Sequence, residues 1–264
     1  MAYLYETHLH TSQASACGVS KGREYIKRYQ DLGFSGIIVT DHFFRGHCAI
    51  NRNLPWEKWV HQFCQGYEDA REEGARRGFD VFFGWEETFD WDDYLVYGLD
   101  KEWLLEHPEV RRWTRKEQFD EVRRYGGCVV QAHPFRQHHY VQCVCLSAGC
   151  VDAIEAANGA NSDQSYDALA WIYARKLKLP VTAGTDIHDI RDIRADSLMG
   201  VYLDKKMETI SDYVEAIRND SLGPIKIPTG RCDTRGNEYV TLPVDIRDKK
   251  DRSTGRDLWD FLGI

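Results

Sequence analysis

Histidine and carboxylate side chains follow apolar, strand-like segments at several points along this chain. The first case is residues 3–11, YLYETHLHT, in which His8 and His10 come after an apolar opening. Residues two apart on a strand point to the same side, so both imidazoles face one point. Two neutral imidazoles that converge in this way are typical ligands of a divalent metal ion.

The same arrangement recurs further along the sequence. His42 follows the segment GIIVT, Glu86 lies at the end of DVFFGWEE, and His133 follows CVVQA. Asp186 and His188 follow PVTAG. A single short motif of this kind is weak evidence, because most isolated histidine pairs are surface residues. Repetition at several strand ends indicates one shared metal centre.

The elements that must position these residues alternate between short apolar runs and longer amphipathic stretches. This alternation is typical of an α/β protein built from βα repeats. In a barrel of parallel strands all carboxyl ends lie on one face, where such enzymes have their active sites. We therefore expect the side chains to meet at that face. The predicted strands after the first are 36–40, 80–87, 93–99, 128–132, 151–157, 180–184 and 199–203, and the predicted helices are 21–32, 56–77, 101–106, 114–125, 165–177 and 208–218.

The length of 264 residues, with 42% hydrophobic residues, suits one large barrel domain. We expect this domain to cover residues 1–222. Residues 223–264 are polar and rich in glycine, proline, aspartate and arginine, and we expect them to form an extension packed on or near the barrel.

Charge and composition limit the partners. The net charge of −8 disfavours nucleic acid as the main partner. No apolar run approaches the roughly 20 residues that span a bilayer, and the first residues lack the pattern of a secretory signal. The eight cysteines form no Cys-x-x-Cys motif, so we expect reduced thiols and a cytoplasmic protein.

Taken together, the motifs resemble those of the PHP (polymerase and histidinol phosphatase) family of metal-dependent phosphoesterases. The matching segments, in the family's order, are HLHT at 8–11, TDH at 40–42, GWE at 84–86, AHP at 132–134 and GTDIH at 184–188. The resemblance implies a distorted, TIM-like (β/α)7 barrel. It also implies two or three divalent metal ions, zinc, manganese or iron, at the strand ends.

The resemblance also implies which residues bind each ion. For the first ion the implied ligands are His8, His10, Glu86 and Asp186. Glu86 is implied to bridge to a second ion, which His133 also binds. For a third ion the implied ligands are His42 and His188.

The sequence departs from the family pattern in two places. Where the family often has a histidine after the fourth strand, alignment of DYLVYGL places Asp100, which could be a ligand or the cap of the next helix. In the loop after His10, where the family usually has an aspartate or histidine ligand, this chain has Ser15, Ala16 and Cys17. Cys17 could bind metal as a thiolate or be a packing residue.

Two metal ions that share a carboxylate can hold a phosphoryl group and lower the pKa of a water molecule toward ~7. Arg136, directly after the His133 motif, could bind phosphate through its guanidinium group or be an ordinary surface residue. The predicted catalytic group is Glu86, His133, Asp186 and Arg136. The sequence predicts a hydrolase that acts on a small phosphorylated substrate, a phosphomonoesterase. A phosphodiesterase or exonuclease, a hydrolase of other bonds and a phosphate sensor remain open alternatives.

Overall fold

The computed structural model describes residues 2–264, and nine of its strands form a sheet that curls into a nearly closed barrel. The strands are β1 (Tyr3–Glu6), β2 (Gly36–Val39), β3 (Asp80–Phe89), β4 (Asp92–Tyr97), β5 (Cys128–Ala132), β6 (Val144–Leu146), β7 (Ala153–Asn158), β8 (Val181–Gly184), β9 (Gly200–Leu203), β10 (Ile225–Lys226) and β11 (Val244–Ile246). The helices are α1 (Gly22–Asp31), α2 (Trp56–Phe63), α3 (Gln65–Arg77), α4 (Lys101–Glu106), α5 (Arg115–Arg124), α6 (Gln164–Leu177), α7 (Ile210–Arg218) and α8 (Leu258–Leu262).

The strand order of the barrel sheet is β10-β9-β1-β2-β3-β4-β5-β7-β8. The pairs β1–β2, β2–β3, β5–β7 and β7–β8 are parallel, so these strands end on the same face. The predicted α/β barrel is confirmed. Two strands depart from the parallel arrangement: β4 is antiparallel to both β3 and β5, and β9 is antiparallel to β1.

The barrel closes through the segments that follow β1 and β8. Leu9 and Ile187 form a parallel bridge, the backbone N–H of Asp186 donates to the carbonyl of His8 at 2.9 Å, and that of His10 donates to Ile187 at 3.0 Å. The closing segments therefore carry four of the predicted metal ligands, and closure itself brings them together.

A buried aromatic cluster supports the segment after β2. Phe43 is fully buried and packs against Trp59, Phe63 and Trp85, with ring centroids 5.1–5.2 Å apart. Burial of such a side chain contributes about 1.5–3 kcal/mol. Because Phe43 follows His42 directly, this packing fixes the backbone from which the His42 ring projects.

The predicted helix 56–77 is interrupted at Cys64, which separates α2 from α3. The start of α3 approaches the loop after β1 so closely that a Cβ atom on Gly66 would overlap the Thr11 hydroxyl. Thr11 in turn donates from its N–H and its hydroxyl to the Asp41 carboxylate, at 2.6 and 2.7 Å. The helix break thus lets backbone pack directly against the loops that carry the candidate site.

The segment 223–264 contacts the rest of the chain through strand pairing, helix packing and side-chain bonds such as that of Arg231 with Asp167. Strand β10 pairs with β9, β11 pairs in parallel with β6, and Phe261 of α8 packs against Tyr173 of α6. The eight cysteines are free thiols. Among residues 2–264, no helix combines the length and apolar character that a membrane crossing requires.

Candidate metal centre

Seven of the eight predicted metal ligands meet at the carboxyl-end face of the barrel. Their ligand atoms form overlapping groups in which all members lie within 4.8 Å of one another. The groups are His8–His10–Glu86, His8–His133–Asp186, His10–His42–His188 and Glu86–Asp93–His133.

Glu86 lies at the centre of this cluster and faces imidazoles with both carboxylate oxygens. Its Oε1 is 3.1 Å from Nε2 of His133 and 3.3 Å from Nε2 of His8. Its Oε2 is 2.7 Å from Nδ1 of His42 and 3.6 Å from Nε2 of His10. A carboxylate whose two oxygens face different groups of ligands is suited to bridge two ions.

The two carboxylate oxygens of Asp186 also contact different residues. Oδ1 is 3.1 Å from Nε2 of His10, whereas Oδ2 accepts a hydrogen bond from Nη2 of Arg136 at 2.7 Å. Asp186 and His133 both have left-handed backbone conformations, with φ of 54° and 29°. Non-glycine residues seldom adopt this conformation, and such residues cluster at functional sites.

Asp100, the eighth predicted ligand, lies elsewhere, and this part of the prediction was wrong. It is exposed, and its carboxylate accepts a hydrogen bond from the N–H of Trp103 at 2.8 Å, which caps α4. Because β4 runs antiparallel, its start rather than its end reaches the site face. Asp93, at that start, takes the place expected for Asp100 and joins Glu86 and His133.

Glu155 is a further residue that the sequence did not single out. It is buried in the middle of β7, where Oε1 accepts from Nδ1 of His8 at 2.9 Å and Oε2 accepts from Nδ2 of Asn158 at 2.8 Å. A Cβ atom on Gly184 would overlap His8 and press on this carboxylate, so glycine is required for the contact. Glu155 fixes the His8 ring with Nε2 toward the cluster.

His10 is held in a similar way. Its Nδ1 lies 3.1 Å from Oγ of Ser15, and that hydroxyl donates to Oδ1 of Asp41 at 2.6 Å. Since the Ser15 proton is given to Asp41, the serine oxygen accepts from the His10 ring. The His10 Nε2 atom is then left with its lone pair toward the cluster.

The structure gives Arg136 a role in holding other site residues. Besides its bond to Asp186, its Nη2 donates to Oδ1 of Asn158 at 2.6 Å, and its Nε donates to Oδ1 of Asn161 at 3.0 Å. Nη1 makes no hydrogen bond with residues 2–264 and remains the donor available to an anion. The expected phosphate contact therefore rests on Nη1 alone.

The charges within the cluster shift its pKa values strongly. Burial opposes ionisation of Glu86, but His42 and His8 outweigh it and hold the pKa of the Glu86 carboxyl well below its usual value. Burial likewise opposes protonation of His8, yet Asp186, Glu155 and Glu86 raise its pKa well above 6.5. Burial and the neighbouring His42 and His188 rings lower the pKa of His10 well below 6.5.

The residues present fit divalent metal ions. His42 Nδ1 and Glu86 Oε2 are buried and contact each other at 2.7 Å, but this contact lacks hydrogen-bond geometry and neither atom has a hydrogen bond to any of residues 2–264. Buried polar groups are nearly always satisfied, so two adjacent atoms of this kind fit a pair of ligands to one cation. Imidazoles mixed with carboxylates suit zinc, iron or manganese more than calcium.

A cavity of about 730 Å³ opens above the cluster and has room for a substrate of moderate size. Its floor includes Glu86, His133 and Asp186. Its rim includes Trp91 and Tyr140, which are 41% and 50% exposed. The volume falls within the ~300–1,000 Å³ typical of small-molecule sites.

No family model matches the sequence, and no curated protein matches it either. Solved structures do match. One is a two-domain protein from Bacteroides vulgatus, named as containing a predicted PHP-like metal-dependent phosphoesterase, with a TM-score of 0.63 and 16% identity. The match covers 86% of the present chain and 65% of that chain, so this protein spans slightly less than two thirds of its neighbour.

Two further structures match over almost their whole length. A candidate metal-dependent phosphoesterase from Bifidobacterium adolescentis has a TM-score of 0.52 and 16% identity, over 81% of this chain and 94% of that one. PsfC from Pseudomonas syringae has a TM-score of 0.52 and 14% identity, over 88% and 93%. At these identities the likeness shows the fold, which agrees with the resemblance found in the motifs.

Proposed function

We propose that this protein is a metal-dependent phosphoesterase that hydrolyses small phosphomonoesters with two or three divalent ions. The observation that carries the proposal is the position of Glu86, whose two oxygens face four imidazoles at 2.7–3.6 Å. The names of the structural neighbours support the same class of reaction.

In the proposed centre, one ion would be held by His8, His10, Glu86 and Asp186, and a second by Glu86, His133 and Asp93. Ions bound there would supply Lewis acidity to a phosphoryl oxygen and lower the pKa of a water molecule toward ~7. We propose zinc, manganese or iron, on the chemistry of the donors.

The protein's own groups would position the substrate. Arg136 anchors Asp186 and leaves Nη1 to donate to a phosphoryl oxygen. His138 and His139 line the cavity together with Tyr140, and one of these imidazoles would be the group to give a proton to an ester's leaving oxygen. The cavity has room for a small molecule, and its closed floor favours a terminal phosphate over the interior of a polymer.

The test combines metal analysis with a substrate panel. Purified protein, loaded separately with zinc, manganese and ferrous iron, is expected to bind at least two ions per chain and to hydrolyse phosphomonoesters. Glu86→Gln should abolish turnover and reduce the bound metal. His107→Ala is the control, because His107 stacks on Trp103 at 4.1 Å, outside the cluster.

Other results of this test would support the alternative functions. Preference for phosphodiesters over monoesters would favour the phosphodiesterase. Bound metal with hydrolysis of carboxylic or amide bonds only would favour a hydrolase of another class. Fewer than two ions per chain under metal-replete conditions would overturn the proposal.

A further inference from the structure

Trp91 and Tyr140 are two aromatic residues on the wall of the cavity above the metal centre. Both also line a smaller recess that opens beside Asp93, His133 and Arg136. These three residues are the ones to which the proposed function assigns part of the second ion site and the phosphoryl contact. The two rings therefore adjoin the place where the ester substituent of a bound phosphate would lie.

The turn that carries Trp91 is held in place by a buried ion pair. Phe89 pairs with Asp92 at the end of the β3–β4 hairpin, so Asp90 and Trp91 form its turn. Asp92 is buried and accepts two hydrogen bonds from Arg115, from Nε at 3.0 Å and from Nη2 at 2.7 Å. The indole ring itself remains exposed on this fixed backbone.

The loop that carries Tyr140 is held by the C-terminal segment. Nε2 of Gln137 donates to the carbonyl of Tyr239 at 3.2 Å, and its Oε1 accepts from the N–H of Thr241 at 2.7 Å. Beyond the loop, the pairing of β11 with β6 fixes the other end. The Tyr140 ring is half exposed in the cavity although both ends of its loop are anchored.

The polar groups of the cavity favour an aromatic substituent over a sugar. Each sugar hydroxyl must regain a hydrogen bond when it leaves water. Among residues 2–264, the lining includes no asparagine or glutamine, and its one carboxylate outside the metal-ligand groups is Asp90, which faces Arg115 at 3.5 Å. Few acceptors therefore remain for hydroxyls, whereas two aromatic side chains match a flat, apolar ring.

We propose that Trp91 and Tyr140 form a subsite for an aromatic ring in the leaving group of the substrate. The preferred substrates are then phosphomonoesters of alcohols that carry a planar ring close to the ester oxygen. This inference rests on the proposed function and names the substrate class of that site. Because both aromatic residues lie on anchored backbone, little conformational freedom is lost when the ring binds.

Phosphonates, which are not hydrolysed, separate recognition of the ring from turnover. Calorimetric titration of the metal-loaded, full-length protein compares benzylphosphonate with cyclohexylmethylphosphonate, whose ring is similar in size but saturated. We expect benzylphosphonate to bind roughly 10-fold more tightly, on the scale of one aromatic pair. Trp91→Ala and Tyr140→Ala should each remove most of this preference, and Trp91→Phe should keep most of it. All three variants should bind methylphosphonate, which has no ring, as tightly as the wild-type protein does.

Tyr125→Ala is the matched control, because Tyr125 is about as exposed as Trp91 but does not line the cavity. This variant should keep the full preference for benzylphosphonate. In steady-state kinetics, benzyl phosphate should have a higher kcat/KM than cyclohexylmethyl phosphate. The two leaving alcohols have similar acidity, so this difference measures recognition of the ring.

Equal affinity of the wild-type protein for the two cyclic phosphonates would overturn the proposal, and so would a preference that survives Trp91→Ala. An equal loss of affinity for methylphosphonate in Trp91→Ala would also overturn it, since the residue would then act on the phosphate site. A higher kcat/KM for glucose 6-phosphate than for benzyl phosphate would overturn it in favour of a sugar. Ring preference in binding without hydrolysis of any ester would contradict the proposed function alone, whereas hydrolysis without ring preference would contradict this inference alone.

Discussion

Asp93 Oδ2 lies 3.9 Å from Nε2 of His133, across the antiparallel pair of β4 and β5. The register places Asp93 opposite Ala132, the residue before His133. The other oxygen of Asp93 accepts from the Thr88 hydroxyl at 2.5 Å, which orients Oδ2 toward the imidazole. Because β4 runs antiparallel to its neighbours, the residue that reaches the site is Asp93 at the start of the strand. In a parallel strand, a residue at the carboxyl end would lie there.

Replacement of Asp93 should therefore weaken the second proposed ion. Asp93→Asn preserves the shape but removes the charge, and we expect a loss of about one ion per chain and of roughly 100-fold in kcat/KM, equivalent to about 2.7 kcal/mol. Metal analysis and steady-state kinetics measure both. Asp100→Asn is the matched control, because asparagine caps a helix nearly as well as aspartate. Equal effects of the two substitutions would contradict the assignment of Asp93.

The position of Asp93 could have been predicted from the sequence. The predicted third and fourth strands are separated only by residues 88–92, whereas a parallel crossover needs about a dozen residues. This spacing permits only an antiparallel hairpin, which puts the start of the fourth strand at the site. The other ligands could be predicted because each lies near the end of a strand with a parallel neighbour or shortly after it, and parallel strands end together.

The sequence gives weaker evidence for the role of Glu155, which is a single carboxylate within the apolar segment AIEAAN. A buried charge requires a partner, so its presence predicts some polar contact, but the identity of His8 as that partner depends on the pairing of β7 and β8. The pairing of β11 with β6 could not be predicted either, because strands of three residues so far apart in sequence have no local pattern that specifies their register.

Glu155→Gln should lower metal affinity without removing a ligand. The amide cannot accept the His8 Nδ1 proton as strongly, so the ring loses both orientation and basicity. Loss of such a partner typically costs about 10–100-fold in metal affinity. Competition with a zinc chelator measures the change. Glu87→Gln is the control, since Glu87 is equally buried but contacts Arg45, at 3.0 Å, instead of a ligand. Unchanged affinity in Glu155→Gln would remove Glu155 from the centre.

Metal binding should release protons and weaken at low pH. The pKa of His8 is raised well above 6.5, chiefly by Asp186 and Glu155 against the effect of burial, so the metal-free ring carries a proton at neutral pH. A cation must displace that proton. Affinity should therefore be constant above the pKa of His8 and fall as the pH drops below it.

Calorimetric titration with zinc in buffers of different ionisation enthalpy measures the number of protons released. We expect at least one per chain near pH 7. Glu155→Gln removes one of the charges that raise the pKa of His8. In this variant the loss of zinc affinity should therefore begin at a lower pH. Proton uptake, or the same pH profile in both proteins, would contradict this account.

Arg231, in the segment 223–264, should support the centre through a chain of buried contacts. Its guanidinium group binds the buried Asp167 carboxylate and donates to the carbonyls of Asn158 and Asn161, at 3.0 and 2.7 Å. Asp167 accepts from Nδ2 of Asn161 at 2.8 Å, and Asn161 in turn accepts from Arg136. Because Arg136 holds Asp186, loss of Arg231 should disturb a metal ligand indirectly.

Arg231→Ala leaves Asp167 buried without its partner, and breaking such a pair typically costs about 3–5 kcal/mol. We expect a lower free energy of unfolding in denaturant and a lower kcat. Arg235→Ala is the control, because Arg235 is an exposed residue of the same segment that contacts Gln164. Adding Asp167→Asn to Arg231→Ala removes the unpaired charge and should recover part of the stability. If the double variant regains stability but not kcat, the contacts from Arg231 to Asp186 affect the site itself. If Arg231→Ala changes neither the free energy of unfolding nor kcat, Arg231 has no part in holding Asp186.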